Sequence, residues 1–138
     1  MRGDIRDWDK ALESRVDWGW LNWSWGDTKI SPSDIDFIVE RHGHFLIGEI
    51  KPSAEALPLG QEILLKAYAK LPRTTAFVLS GEIIDHDIRP ESLWIVGKGK
   101  FNPIDKAGFA KFCRDWREDA EGKNTKALDN EERHVLHD

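Results

Sequence analysis

Asp36, Glu49 and Lys51 are the residues of this chain whose types and spacing could support a chemical reaction. They lie in the segment 31–52, where an acid is followed by a turn and then by Glu-Ile-Lys. Mg²⁺ prefers oxygen ligands, and a divalent ion can polarise a phosphate and lower the pKa of a bound water. An ammonium group can orient the nucleophile or stabilise charge on the phosphate. Together these groups would suit the hydrolysis of phosphodiester bonds.

A β-hairpin is the predicted element that positions these residues. The ranges 35–40 and 45–50 are rich in Ile, Val, Phe and Leu, and the short segment between them contains Gly43. Glycine tolerates the backbone angles of a tight turn. We therefore expect two strands joined by a turn centred on Gly43.

The turn sets how the two strands pair. A turn centred on Gly43 would place Asp36 opposite Ile50, and therefore beside both Glu49 and Lys51. Glu49 and Lys51 are two positions apart, so their side chains would leave the same face of the strand. The Ile50 side chain would enter the core, while its main-chain carbonyl could reach a metal ion held by the neighbouring carboxylates.

Further periodic segments surround the hairpin. Helices are predicted over 4–20, over 60–70 and after Asn102-Pro103, with short buried strands over 75–79 and 92–96. Buried strands separated by amphipathic helices are typical of sheets that carry helices on their faces. The predicted fold class is therefore α/β, with a mixed sheet of four to five strands flanked by helices.

These features together resemble the PD-(D/E)xK nuclease superfamily, which has the restriction-endonuclease-like fold. The resemblance rests on Asp36, on Glu49-Ile50-Lys51 and on the order helix, hairpin, helix, strand, and it covers residues 5–97. The spacing is most similar to that of archaeal Holliday-junction resolvases and related phage and RecB-type nucleases. It implies a core with the order α-β-β-α-β-β-α and an enzyme dependent on Mg²⁺ or Mn²⁺. Asp36 and Glu49 would be metal ligands and Lys51 a catalytic residue.

The resemblance also implies two site residues on helices. Related families often carry a glutamate on the first helix, which Glu13 matches as a third metal ligand, and Gln61 resembles a glutamine placed beside the site. Taken alone, Glu13 belongs to an acidic stripe with Asp9 and Asp17, as solvated helix faces do. Gln61 could equally be a surface or helix-capping amide.

The chain departs from the family pattern in two places. The run Ser33-Asp34-Ile35-Asp36 stands where a Pro-Asp pair is common, and Asp34 is an alternative ligand because it shares a face with Asp36. Leu65 stands where RecB-type motifs place a tyrosine, with Tyr68 further along the helix. These departures concern the subfamily more than the superfamily.

The composition is that of a soluble domain. The 138 residues suffice for one domain, predicted over 1–120, with an acidic and polar tail over 121–138 that we expect to be partly disordered. The single cysteine, Cys113, excludes an internal disulfide and a zinc site of several cysteines. The chain has no apolar run long enough for a membrane helix and a polar N-terminus. We therefore expect a cytoplasmic protein without membrane contact.

Two further segments could bind a partner. Trp18, Trp20, Trp23 and Trp25 are crowded together, and such residues serve as core bulk or interface contacts or stack on bases. A homodimer through this cluster is one expected assembly. The run Gly97–Lys100 could contact phosphate, or it could be the polar loop of a hairpin.

The expected function is that of a small metal-dependent deoxyribonuclease in DNA processing, repair or recombination, encoded by a phage or mobile element among other sources. Its substrate could be double-stranded, single-stranded or branched DNA. The net charge of −5 argues against coating nucleic acid by charge alone, but not against a nuclease. The alternative is a non-catalytic module of the same fold that binds nucleic acid or protein. An RNA-cutting member of the superfamily is a third interpretation.

Overall fold

The computed structural model describes residues 16–53 and 55–137, with side chains up to residue 122. The chain divides into two compact units, residues 1–34 and 35–138. The predicted division into a domain and a polar tail stays a prediction.

The first unit contains a 3-10 helix, Gly19–Trp25. Residues 16–18 before it have no regular structure. Most of the predicted helix over 4–20 lies outside the described residues, and its described end is not α-helical. Trp25 and Gly26 end the 3-10 helix, where Gly26 takes a left-handed φ of 65°.

The second unit is built on one five-stranded sheet with two helices. In chain order its elements are β1 Phe37–Arg41, β2 His44–Pro52, α1 Leu59–Ala69, β3 Thr74–Ile84, β4 Asp87–Ile95, β5 Lys98–Pro103 and α2 Lys106–His137. None of the helices among the described residues has the length and apolarity that crossing a bilayer requires.

The sheet is mixed, as predicted. Its strand order is β1-β2-β3-β4-β5, so each strand pairs with its neighbour in sequence. β1 and β2 form an antiparallel hairpin, whereas β2 and β3 are parallel and are connected through α1. β4 and β5 continue the sheet as antiparallel strands. The parallel step places the start of α1 beyond the end of β2, because the helix must return the chain to the start of β3.

The core has two layers because the strands alternate their side chains between the two faces. Helix α1 packs through Leu65 on the face that carries Ile47 and Val78. Helix α2 covers the other face, where its aromatic side chains meet Leu46 and Phe77. The architecture is therefore α/β, with one helix on each face of the sheet.

Gly48 allows two aromatic rings to meet across β2. It pairs with Phe37 on β1 and with Phe77 on β3, and a Cβ atom at Gly48 would overlap the Phe77 ring. Without that atom the Phe37 and Phe77 rings form an edge-to-face contact with centroids 5.2 Å apart. Phe109 and Phe112 of α2 complete the aromatic cluster. Because Phe37 is fixed in this cluster, the residue before it, Asp36, is held at the start of β1.

The structure corrects three predicted boundaries. β3 and β4 extend well beyond the predicted ranges 75–79 and 92–96, since they continue as a hairpin through Asp85 and His86. Asn102-Pro103 does not open the last helix but ends β5. Strand β5 was not predicted because its sequence, Lys-Gly-Lys-Phe-Asn-Pro, lacks β-branched residues.

Candidate active site

The hairpin turn differs by one residue from the predicted one. His42 and Gly43 both have positive φ angles, 53° and 81°, as a two-residue turn of type I′ requires. Arg41 consequently pairs with His44, and Phe37 pairs with Gly48. The prediction that Asp36 would lie opposite Ile50 is therefore wrong by one position, because it assumed a turn centred on a single residue.

Asp36 nevertheless contacts the predicted segment of β2. The main-chain N–H of Ile50 donates a hydrogen bond to Asp36 Oδ2 at 2.9 Å. β1 begins only at Phe37, so the carboxylate takes the position at which a β1 carbonyl would continue the ladder. In an extended strand the N–H and C=O of one residue point the same way. The carbonyl oxygen of Ile50 is therefore on the side of β2 that faces Asp36.

Glu49 is a buried acid in the middle of the sheet. Its side chain is only 2% exposed, and it pairs in register with Val78 of β3. A carboxylate at such a position is costly unless it is paired or hydrogen-bonded, and Glu49 does interact with another residue. Its burial distinguishes it from the solvated ion pair that a Glu-x-Lys pattern alone would most often form.

Lys51 lies two residues further along β2 and is partly buried. Alternation along the strand places it on the same face as Glu49. Its Nζ atom donates hydrogen bonds to the main-chain carbonyl of Glu55, at 2.6 Å, and to that of Pro52, at 3.4 Å. The loop after β2 therefore holds the ammonium group next to the end of the strand.

Ser80 is a neighbour of Lys51 that the sequence analysis did not include in the site. It pairs in register with Lys51 and is 5% exposed. The predicted strand covers only 75–79, and the continuation of β3 to Ile84 shows that Ser80 lies inside the sheet. The two β-branched residues Ile83 and Ile84 were the available signal.

The predicted helical site residues have different outcomes. Gln61 lies in the first turn of α1 and is half-buried. Since α1 starts shortly after β2 ends, this turn lies near the same end of the sheet as Lys51. Glu13 lies outside the described residues. Asp34, the alternative ligand, is exposed and belongs to the first unit.

The donor types at this end of β2 fit a divalent metal. Asp36 and Glu49 would contribute carboxylates and Ile50 a main-chain carbonyl, and Mg²⁺ is commonly held by one or two carboxylates while it keeps several waters. Within the part of the chain that the structure describes, no group of three or more His, Cys, Asp and Glu side chains is placed to hold a metal ion.

Neither a protein-family model, nor a curated protein, nor a solved structure matches the chain. The family resemblance therefore rests on Asp36, on Glu49-Ile50-Lys51 and on the order of the elements.

Proposed function

We propose that the protein is a metal-dependent nuclease that hydrolyses phosphodiester bonds of DNA. The observation that carries the proposal is the hydrogen bond between Asp36 and the main chain of Ile50. It joins an acid from β1 to the residue between Glu49 and Lys51. Two acids and a lysine at one end of two paired strands are the groups that such hydrolysis needs.

The carboxylates of Asp36 and Glu49 and the carbonyl of Ile50 would hold Mg²⁺ or Mn²⁺, with Glu13 as a further ligand. A bound ion of this kind supplies Lewis acidity and a water of lowered pKa. The burial of Glu49 at 2% exposure supports its role, because a carboxylate inside a sheet is well positioned to bind a cation that offsets its charge.

Lys51 would stabilise the negative charge that develops on the phosphate. Its ammonium group already faces the end of β2 through its hydrogen bond to the Glu55 carbonyl. Exchange of that neutral acceptor for an anionic phosphate oxygen would strengthen the interaction. Gln61, in the first turn of α1, would orient the substrate or the attacking water.

The order of the described elements supports a restriction-endonuclease-like core. An antiparallel hairpin, a crossover helix and a parallel third strand form its centre, and the acidic residues lie on the hairpin. In the same arrangement, Asp36 at the start of β1 and Lys51 at the end of β2 lie near the start of α1.

The test is an assay with plasmid, single-stranded and branched DNA in Mg²⁺ or Mn²⁺. Wild type should cut at least one of these substrates and should lose that activity in EDTA. Asp36→Ala and Lys51→Ala should be inactive, whereas Lys111→Ala on α2 should cut as wild type does. If wild type cuts none of these substrates, or if Asp36→Ala and Lys51→Ala cut as well as wild type does, the proposal is wrong.

A second candidate is a non-catalytic binding module with the same fold. It is favoured by the hydrogen bonds of Asp36 and Lys51 to the main chain, which could serve only to fix the ends of β1 and β2. Calorimetric titration with Mn²⁺ separates the two candidates. A nuclease should bind the ion in a manner abolished by combining Asp36→Asn with Glu49→Gln, whereas a module should bind none that depends on these residues.

A further inference from the structure

A register irregularity in β5 brings Lys100 and Phe101 beside Trp94 of β4. Leu93 pairs with Asn102 and Ile95 pairs with Lys98, so Trp94 alone on β4 faces residues 99–101 on β5. Gly99 has a left-handed φ of 61°, which such an irregularity favours. Bulges of this kind redirect side chains and are frequent next to functional sites.

The redirected residues form an open groove on the α1 face of the sheet. Its volume is about 550 Å³, and it is lined by Glu62, Trp94, Gly99, Lys100 and Phe101. The rings of Trp94 and Phe101 lie with centroids 5.8 Å apart at an angle of 40°. Phe101 is 40% exposed, so one side of this aromatic pair is open to a ligand.

The charges around the groove favour an anionic ligand. Lys100 is exposed and forms no ion pair with another described residue. The acid in the lining, Glu62, is already paired with Lys66 at 3.3 Å. Aromatic rings beside unpaired cations are the combination that binds single-stranded nucleic acid, since bases stack on the rings and phosphates contact the cations.

The groove lies in the same row of the sheet as the buried acid of the proposed active site. Glu49 pairs with Val78, and Val78 pairs with Trp94. Two strand spacings separate Glu49 from Trp94, or about 10 Å between their Cα atoms. Helix α1 covers this row at Val78, which is fully buried, so a strand held in the groove would approach Glu49 only by passing around α1.

We infer that the groove formed by Trp94, Lys100 and Phe101 binds a single-stranded segment of nucleic acid. This inference rests on the proposed nuclease function for its purpose, but binding can be measured without cleavage. Bases stack on Phe101 and Trp94, and the backbone contacts Lys100. The nuclease would accordingly act on substrates that have a single-stranded region.

Fluorescence anisotropy of a labelled oligothymidylate in EDTA tests the inference. Wild type should bind it more tightly than a duplex of the same length. Phe101→Ala should weaken binding about fivefold or more, because stacking on one ring is removed, while Phe101→Trp should retain it. Lys100→Ala should reduce the steepness of the plot of log K against log salt by about 0.7.

Two matched controls locate the effect. Trp23→Ala removes a tryptophan that is 96% exposed in the first unit, and Lys111→Ala removes a lysine from the helix on the opposite face. Both should bind as wild type does. The inference is overturned if Phe101→Ala binds normally, if Trp23→Ala causes the loss instead, or if inorganic polyphosphate displaces the oligonucleotide from wild type and Phe101→Ala equally well.

Oligouridylate identifies the sugar that the surface accepts. If either oligonucleotide binds in a manner that depends on Phe101, the inferred binding groove is supported. Tighter binding of oligothymidylate would indicate DNA as the ligand, and tighter binding of oligouridylate would indicate RNA. Asp36→Asn separates this inference from the proposed function, since it should bind the oligonucleotide normally. If wild type binds the oligonucleotide as expected but cuts no substrate, the nuclease proposal alone is overturned. If wild type cuts DNA but Phe101→Ala binds the oligonucleotide normally, the groove proposal alone is overturned.

Discussion

The main-chain N–H of Ile50 donates a hydrogen bond to the carboxylate of Asp36, with the two atoms 2.9 Å apart. The bond crosses from the start of β1 to the end of β2, and it joins the first acid of the predicted motif to the centre of Glu49-Ile50-Lys51. Phe37, packed against Phe77, fixes the position of Asp36 from the other side. The packing of the aromatic cluster thus determines the geometry of the proposed site.

Asp36 should serve both the fold and the reaction, and two substitutions separate these roles. Asp36→Asn keeps an oxygen that can accept the Ile50 N–H, so we expect little change in the free energy of unfolding. Asp36→Ala removes the acceptor and should cost about 1 kcal/mol. Both should lower the cleavage rate about 10²-fold or more, because a lost metal ligand removes several kcal/mol of charge stabilisation. Urea unfolding and cleavage of DNA that has a single-stranded region measure the two effects, and full activity of Asp36→Asn would contradict the assigned role.

Lys51 should be needed for cleavage but not for folding. Lys51→Ala removes a cation that the Glu55 carbonyl holds at the end of β2, and the cleavage rate should fall about 10²-fold or more. Lys111→Ala is the matched control, since that lysine is exposed and paired with Asp115 on α2. Thermal unfolding should place both variants within a few degrees of wild type. Equal cleavage by the two variants would show that Lys51 has no role in the reaction.

Gly48 should be intolerant of a side chain. In Gly48→Ala the new methyl group would overlap the Phe77 ring, and relief of that overlap should cost about 1–3 kcal/mol of stability. Gly60→Ala is the control, because its methyl group would meet no described atom within 4 Å. It lies in α1, where Ala should be more stable than Gly by about 0.5–1 kcal/mol. The midpoint of urea denaturation should therefore fall in Gly48→Ala and rise in Gly60→Ala.

The hairpin was predictable because its apolar strands and its glycine turn are local features. Its register was wrong by one residue, since a two-residue turn and a turn centred on Gly43 give the same composition. The φ angles of His42 and Gly43 decide between them, and the sequence does not contain that information. The sequence predicted that Asp36 would lie near Ile50, but it did not predict their hydrogen bond. The carboxylate bonds to the main chain, which every residue has, and not to a particular partner side chain.

The groove at β5 could not have been predicted from sequence. The sequence predicts a phosphate contact or a hairpin loop for the run Gly97–Lys100, and Gly97 does lie in the turn between β4 and β5. A shift of register between β4 and β5 brings Lys100 and Phe101 beside Trp94. The residue types in these strands do not predict such a shift. Long-range pairing of this kind depends on packing across the whole sheet.

Cys113 should react slowly with alkylating reagents in the folded protein. Burial raises the pKa of its thiol above the ordinary value, and the thiolate is the reactive form. Iodoacetamide should therefore modify the native protein more slowly than the urea-unfolded protein at pH 8. The native rate should also continue to rise with pH after that of free cysteine has levelled off. Equal rates for native and unfolded protein would show that the thiol is not protected by α2 and the sheet.

The proposed metal site is tested most directly by the Mg²⁺ dependence of DNA cleavage in a variant of the buried acid. Glu49→Gln keeps the volume of the side chain but removes its charge, and Glu118→Gln is the matched control, since that acid is exposed on α2. Wild type and Glu118→Gln should cut DNA that has a single-stranded region at a rate that rises and saturates with Mg²⁺, whereas Glu49→Gln should be inactive at every Mg²⁺ concentration. Cleavage by Glu49→Gln at the wild-type rate and with the wild-type Mg²⁺ dependence would contradict the account.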